Sequence, residues 1–266
     1  MLALANASVA NNTHVVDWSY RFASWAFDDA NNVALWVNDT DELIAWADAR
    51  ALAVVNTRFG RPLWFINVMI HQHERMRGLE AMGFANHADV DKGSWSNVLM
   101  ALSPLPFGER LKEGASRPTP NLPLGFTICP LDGEREVDGY VALHRAVFES
   151  ESMTAEWRRR TLAQPGYTPD LDLVLVAQDG SLCGFCVCWL DGDSRRGQVE
   201  PMGIRADMQG KGLGKMLLSE GLRRLSAHSA TEIFVETNNF RNAALVLYES
   251  VGFRVRHDIL VYRKDY

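Results

Sequence analysis

Hydrophobic and polar residues follow two different periods through residues 122–266, and these periods predict alternating strands and helices. Short apolar runs bounded by Gly, Pro or Asp indicate strands, whereas apolar residues that recur at helical spacing indicate amphipathic helices. The predicted strands are 125–131, a hairpin over 171–191 that turns at Asp179-Gly180, 198–204, 231–238 and a final pair within 253–264. The predicted helices are 134–150, 155–164 with Thr154 as N-cap, 212–228 and 242–251. This order predicts an α/β fold built on a mixed sheet.

The first part of the chain gives a sparser pattern. The predicted helices there are 41–58 and 72–82, and the predicted strands are 33–37, 62–69 and 95–102. Five aromatic residues lie too close together for a helical stripe and predict either an alternating strand or a cover over a seam between domains: Trp18, Tyr20, Phe22, Trp25 and Phe27. Residues 104–121 are rich in Pro, Gly and charge and predict a linker.

A constant shift along the chain superimposes part of the first half on the second. It places the strand 61–68 on EIFVET and the helix 74–84 on AALVLYESVGF, so that Gly83 meets Gly252. We call this shift the repeat offset. A constant offset through a strand, a helix and a closing Gly-Phe indicates an internal repeat. We therefore expect two related units, residues 1–103 and 122–266, joined by the linker 104–121.

The segment Gln198–Lys215 joins a strand to a helix through QGKGLGK. A helix start offers unpaired N–H groups and the positive end of the helix dipole, which suit a phosphate, and Lys211 and Lys215 add charge. Three glycines allow the backbone to approach such a ligand closely: Gly210, Gly212 and Gly214. The P-loop pattern fails because Met216 follows Lys215, and GxGxxG fails on spacing. A glycine-rich turn without a ligand is the alternative interpretation.

Two motifs together resemble a known family. Gln209 and the glycines after it give Q-x-x-G-x-G behind a strand, and further along the chain a second motif matches in kind and order at Asn242, Tyr248, Gly252 and Phe253. Residues 122–266 thus resemble the GNAT (GCN5-related) N-acetyltransferases, and the tandem arrangement resembles mycothiol synthase-like proteins. The resemblance implies two GNAT-like units, a shortened and degenerate one followed by a catalytic one.

The resemblance implies acetyl-CoA as co-substrate and assigns its contacts. A central strand avoids proline, so Pro201 marks a distortion at which the family opens two parallel strands for the pantetheine arm. The pyrophosphate is expected at the glycine loop. The implied contacts are Met202, Gly203, Ile204, Gln209, Gly210, Lys211, Gly212, Leu213, Gly214, Lys215 and Asn242.

Acetyl transfer to an amine needs a base, a donor for the oxyanion and an acid for the departing thiolate. Tyr248 is the predicted acid, since the family uses a tyrosine there and the first unit has Leu79 at that position; a packed core residue is the alternative. Glu200 is the predicted base and Glu236 the second candidate, and either is alternatively a structural carboxylate. A backbone N–H near Met202 is the expected oxyanion donor.

Residues 148–157 connect the first two helices of the second unit, and in the resembled fold this connection walls the acceptor pocket. Glu149 and Glu151 are predicted to hold a cationic substrate and Trp157 to wall its apolar part, with Glu236 as a further substrate contact. The alternative is an acidic helix boundary exposed to water.

The first unit lacks the phosphate loop. The repeat offset sets TDELIAW (40–46) opposite QGKGLGK, so acidic residues replace the lysines and no glycine remains, while His73 stands opposite Asn242. We therefore predict that this unit does not bind the cofactor. Alternatively, ELIAWA is a strand, and the helix begins near Asp48.

Composition excludes several function classes. The 266 residues are 47% apolar and 23% charged, and no apolar run approaches the roughly 20 residues of a membrane span. The net charge of −6 is divided equally between the two parts, without a basic block to follow a nucleic acid. We predict no membrane and no nucleic acid partner, a cytoplasmic location, and a monomer or homodimer.

Four cysteines remain to be explained: Cys129, Cys183, Cys186 and Cys188. The CxxC formed by Cys183 and Cys186 is typical of zinc or redox sites, but no second pair completes a tetrahedral site. We predict reduced core thiols, with Cys186 and Cys188 on one face of a strand and Cys183 on the other, and no metal. A role of Cys129 as an acyl carrier stays open.

The expected function is transfer of an acetyl group from acetyl-CoA to a primary amine of a small molecule, directly within a ternary complex. Two alternatives stay open. One is a non-catalytic, regulatory acyl-CoA-binding module, and the other is an acetyltransferase of protein N-termini or lysines.

Overall fold

The computed structural model describes residues 16, 20–21, 23–24, 40–57, 62–88, 96–102 and 121–266. The helices are α1 (Thr40–Val54), α2 (His73–Ala81), α3 (Val137–Phe148), α4 (Ala155–Leu162), α5 (Leu213–Ala227) and α6 (Asn242–Ser250). The strands are β1 (Leu63–Met69), β2 (Ala85–Asn86), β3 (Asn97–Leu102), β4 (Phe126–Pro130), β5 (Asp172–Ala177), β6 (Leu182–Asp191), β7 (Arg196–Ile204), β8 (Glu232–Asn238) and β9 (Arg254–Asp265). The predicted strand 33–37 and the predicted linker up to residue 120 lie outside the described residues.

The described strands form one mixed sheet in the order β1-β9-β3-β8-β7-β6-β5-β4, and β2 also pairs with β9. Within it, β7 and β8 run parallel, whereas the other pairs of described strands are antiparallel. The predicted mixed α/β fold is confirmed. No helix in the described ranges combines the length and the apolar character that a membrane crossing requires.

The internal repeat is visible in the bounds of the elements. The repeat offset carries β1 onto β8 and α2 onto α6 at both of their ends. Gly83 and Gly252, which close the two helices, both adopt a positive φ, of 84° and 106°. Because only glycine takes this conformation without strain, the same chain reversal follows each helix.

The two copies exchange strands. β3 of the first copy lies between β8 and β9 of the second, with Asn97 opposite Asn238 and Leu102 opposite Ile233. β9 then continues past β3 and pairs with β1, with Leu63 opposite Asp265. The predicted pair of strands within 253–264 is therefore wrong, because one uninterrupted strand satisfies the ladders of both copies.

Helices cover both faces of the sheet around the second copy. α5 and α6 pack on one face through Leu217, Leu222 and Tyr248, and α3 packs on the other through Tyr140 and Val141. The apolar side chains that the helical periodicity predicted thus form the two layers of the core.

The three cysteines of β6 are buried on the α5 side of the sheet. The sulfurs of Cys186 and Cys188 lie 3.8 Å apart, and a Cβ on Gly221 of α5 would meet both at 3.0 Å. Cys183 joins the same core cluster, so the prediction that it points to the opposite face is wrong. A bulge in the ladder between β5 and β6 reverses its side chain, since a change of register by one residue exchanges the faces of a strand.

A buried ion pair fastens α4 to β5. Arg158 and Asp172 are both excluded from water and paired with each other, and the Tyr167 hydroxyl donates to Asp172 Oδ2 at 2.8 Å. The Arg158 guanidinium lies 3.7 Å from the centre of the Tyr140 ring. The negative charge of Asp172 keeps the pKa of Arg158 above its usual value despite the opposing effect of burial.

Asp172→Asn should lower the free energy of unfolding by about 3–5 kcal/mol, because it leaves the buried Arg158 charge without a counterion. Urea unfolding measures this change. Asp132→Asn is the control, since Asp132 pairs with Arg135 at an exposed position and its loss should cost less than about 1 kcal/mol. Equal costs for the two variants would contradict the structural role of the buried pair.

Candidate active site

The parallel strands β7 and β8 separate after a short paired stretch. Their pairing covers three positions, from Arg196 opposite Glu232 to Gln198 opposite Phe234, although β7 continues to Ile204 and β8 to Asn238. On its other side β7 stays paired with β6 through a bulge around Pro201. The edge of β7 beyond Gln198 therefore faces an opening between the two strands. We call this opening the cleft.

The glycine loop lies between the end of β7 and the start of α5. Gly210 and Gly212 have φ of 74° and 76°, and an added Cβ at Gly210 would touch nothing within 4 Å. The first turn of α5 closes with the bond from Met216 N to Gly212 O at 3.2 Å. The N–H groups of residues 213–215 precede this bond, so they have no acceptor within the helix and point outward from its start.

Charges around the loop favour an anion. Lys215 is exposed, and Lys211 Nζ is held at 3.0 Å from the carbonyl of Asp207. Asp207 precedes the loop in the chain, and a hydrogen bond from Arg205 lowers the pKa of this side chain and offsets its charge. The loop thus combines free N–H groups with two lysines. This arrangement suits a phosphate.

The backbone of Met202, Gly203 and Ile204 lines the cleft along β7. Gly203 is required sterically, because a Cβ there would lie 2.3 Å from Val147 of α3 and 2.9 Å from Phe185. Because Gly203 has no Cβ, β7 can pack closely against Val147 of α3. Asn242 begins α6 at the far end of β8, where its side chain is exposed.

Tyr248 lies on α6 and is 8% exposed, with its ring edge-on to Phe253 at 5.7 Å between centroids. Its hydroxyl makes no hydrogen bond to any residue in the described part of the chain. Burial, and then the negative charge of Glu200, raise the pKa of the Tyr248 phenol. The hydroxyl is therefore protonated at neutral pH, and Glu200 is one of the charges that act on it.

Glu200 lies on β7 at the bulge, where the ladder with β8 has ended. Its backbone carbonyl accepts a hydrogen bond from Trp189 Nε1 at 2.6 Å. Its carboxylate, 23% exposed, lies 3.4 Å from the guanidinium of Arg21. The backbone of this residue is fixed by the core, while the side chain reaches partly into solvent.

Glu236, the second candidate for the base, lies on β8 and is held by the first copy. Its Oε1 accepts from Asn97 Nδ2 at 2.9 Å and from Asn67 Nδ2 at 3.5 Å. Asn67 occupies in β1 the position that the repeat offset assigns to Glu236. These bonds favour a structural role for Glu236.

The predicted acceptor wall is partly occupied by internal contacts. Glu151 is 84% exposed and pairs with Arg145 at 2.8 Å, and Glu149 ends α3 with a φ of 49°. The Trp157 indole donates to the backbone carbonyl of Tyr20 at 3.3 Å, and the two rings stack at 5.2 Å. Trp157 thus packs against Tyr20, and the two glutamates are exposed.

Sequence reasoning missed Arg21, Asn67 and Asn97. The bond between Arg21 and Glu200 joins residues that are 179 positions apart in the chain, and no local sequence pattern predicts such a contact. Asn67 was accessible through the repeat, since it aligns with Glu236. Tyr20 belonged to the aromatic run, and its helical backbone and contacts with Trp157 favour the cover over the alternating strand.

Two other sequence predictions concern residues away from the cleft. α1 begins at Thr40, so residues 40–46 are helical, and the alternative of a strand followed by a helix near Asp48 is wrong. Cys129 lies on β4, at the edge of the sheet and three strands from β7, and burial raises the pKa of its thiol. Its distance from the cleft beside β7 and its reduced thiolate fraction both make Cys129 a poor acyl carrier.

Comparison with known proteins agrees with this geometry. Residues 137–253, from α3 to the residue after the closing glycine of α6, match the acetyltransferase (GNAT) family. The chain contains a GNAT domain. The mycothiol acetyltransferase of Streptomyces coelicolor is 30% identical over 156 residues, which are 57% of this chain and 50% of the relative. The chain spans about half the length of the curated relatives it matches.

Two solved structures share the fold. A GCN5-related N-acetyltransferase from Sphaerobacter thermophilus has a TM-score of 0.64 at 18% identity, over 84% of this chain and 65% of the other. A tandem GNAT protein from the clavulanic acid biosynthesis pathway has a TM-score of 0.63 at 15% identity, over 84% and 69%. The predicted resemblance to tandem GNAT proteins is confirmed at the level of the fold.

Gly210→Asp should weaken acetyl-CoA binding at least tenfold, or about 1.4 kcal/mol, because it places a negative charge where a diphosphate would bind. Titration calorimetry measures the dissociation constant. Gly180→Asp is the matched control, since Gly180 also has a positive φ, of 82°, and open space, but lies in the turn between β5 and β6. Both variants place a side chain on a backbone of similar positive φ. Equal affinities of the two variants for acetyl-CoA would show that the glycine loop is not part of the binding site.

Proposed function

We propose that this protein is an acetyl-CoA-dependent N-acetyltransferase that acts on a primary amine of a small molecule. The observation that carries the proposal is the cleft itself. The open edge of β7 leads directly to the free N–H groups at the start of α5. A GNAT domain over the same residues and relatives named for acetylation of a small molecule support it.

The proposed cofactor contacts lie along the cleft and at the glycine loop. The backbone of residues 202–204 would pair with the pantetheine arm, and the loop Gln209–Lys215 would bind the diphosphate, with Asn242 at the margin. The residues present fit this ligand, because Gly210 and Gly212 leave space at the loop and the two lysines offset the phosphate charge. When bound, acetyl-CoA supplies a thioester carbonyl that an amine attacks.

The residues around the cleft provide the proton transfers. Glu200 would accept a proton from the incoming ammonium, directly or through a water molecule, so that the amine attacks as the free base. A backbone N–H of residues 202–204 would stabilise the oxyanion as the C–N bond forms. Tyr248 would donate its proton to the sulfur as the C–S bond breaks, and the second proton that the nitrogen loses would return to the Tyr248 oxygen through water. The transfer is direct, and no cysteine carries the acetyl group.

We further propose residues 1–103 as a non-catalytic scaffold, 104–121 as a linker and 122–266 as the catalytic unit. The absence of a glycine loop from residues 40–46, which are helical, supports this division. The contact of Tyr20 with Trp157 narrows the acceptor side and favours a small amine over a protein chain. A monomer or homodimer in the cytoplasm stays a prediction.

Release of free CoA from acetyl-CoA, measured with a panel of small primary amines, tests the function. We expect at least one amine to accelerate release, with formation of an acetylated product by mass spectrometry. Binding of acetyl-CoA without turnover on any amine would instead favour the regulatory module. Acetylation confined to peptides would favour a protein acceptor.

Tyr248→Phe should lower kcat by about 100-fold, since a positioned general acid contributes about that much, with little change in acetyl-CoA affinity. Steady-state kinetics and calorimetry separate the two effects. Tyr262→Phe is the control, because Tyr262 is also buried but its hydroxyl bonds to Glu80, on α2 of the first copy. An unchanged kcat for Tyr248→Phe would make this tyrosine a packing residue.

A further inference from the structure

The described N-terminal residues of the first copy cover one side of the second copy's cleft. Val16 N donates to Gln198 Oε1 at 2.8 Å, and Gln198 belongs to the last pair of the ladder between β7 and β8. Tyr20 is 4% exposed and packs against Trp157 and Trp189. We call Val16, Tyr20, Arg21 and Ala23 the N-terminal cover.

Arg21 extends from this cover to the predicted base. Its Nη2 lies 3.4 Å from Glu200 Oε1, and the two side chains are 34% and 23% exposed. The backbone of Glu200 is already fixed, because its carbonyl accepts from the buried indole of Trp189. The remaining freedom of Glu200 lies in its side-chain torsions, and the contact with Arg21 restricts them.

We propose that Arg21 is a positioning residue that orients the Glu200 carboxylate at the cleft, so that the first copy completes the site of the second. The proposal rests on the proposed function for its kinetic readout, whereas the contact itself can be tested without turnover. It gives the degenerate copy a role that needs no cofactor.

In the part of the chain that the structure describes, Glu200 interacts with groups on three elements. Arg21 pairs with it from the cover, and its negative charge acts on Tyr140 of α3 and on Tyr248 of α6. Burial raises the pKa of both Tyr140 and Tyr248, with a further contribution from Glu200, so both phenols are uncharged at neutral pH. Arg21 brings a positive charge into contact with Glu200, and this charge favours the ionised carboxylate.

The kinetic test compares Arg21→Gln, Arg21→Lys and the control Arg135→Gln, which removes an exposed ion pair with Asp132 outside the cleft. In Arg21→Gln the acid limb of the kcat/KM profile should move to higher pH by about one pH unit, because the charge that favours the carboxylate is gone. The KM for acetyl-CoA should not change. Arg21→Lys should restore the position of the limb, and Arg135→Gln should behave as wild type. An unmoved limb in Arg21→Gln would overturn the proposal.

A second measurement needs no substrate. The indole ¹⁵N–¹H signal of Trp189, assigned with Trp189→Phe, should titrate with Glu200 because its N–H bonds to the Glu200 carbonyl. Glu200→Gln should abolish this titration, and Arg21→Gln should move its midpoint to higher pH. If the midpoint of the Trp189 titration moves in Arg21→Gln but the protein acetylates no amine, the proposed function is refuted and the contact between Arg21 and Glu200 is supported. Normal turnover with an unmoved midpoint, or a titration that survives Glu200→Gln, would refute the positioning role.

Discussion

The separation of β7 from β8 beyond Gln198 and Phe234 is the constraint on which the site depends. A parallel ladder satisfies the N–H and C=O groups of both strands, so its early end leaves backbone groups of β7 available to a ligand. Pro201 contributes because it has no N–H to donate, and the bulge against β6 accommodates it. The cleft opens toward the start of α5, so an extended ligand would meet β7 first and the helix N-terminus next.

The exchange of strands brings residues of the first copy to the cleft, although this copy has a helix in place of the glycine loop. β3 fills the position between β8 and β9, and β9 in turn completes the ladder of β1. The same arrangement brings Asn67 and Asn97 to Glu236, while the N-terminal cover brings Arg21 to Glu200. These contacts of the first copy are with residues of β7 and β8, away from the glycine loop.

Local patterns were sufficient for most elements and for the loop. The helical periodicity, the Asp179-Gly180 turn and the internal repeat all act within short windows or at a fixed offset, and each appears in the structure. The continuity of β9 and the orientation of Cys183 were not predictable in this way. The first depends on ladders with both copies and the second on a bulge that pairing with β5 creates. The contact between Arg21 and Glu200 likewise depends on tertiary packing across most of the chain.

A crystal structure of the chain with acetyl-CoA would show whether the cleft and the glycine loop bind this ligand together. We expect the diphosphate within hydrogen-bonding distance of the N–H groups of residues 210–215, and the thioester beside residues 202–204 in the cleft. A ligand bound at the first copy near residue 40, or at any place outside the cleft and the glycine loop, would contradict this expectation.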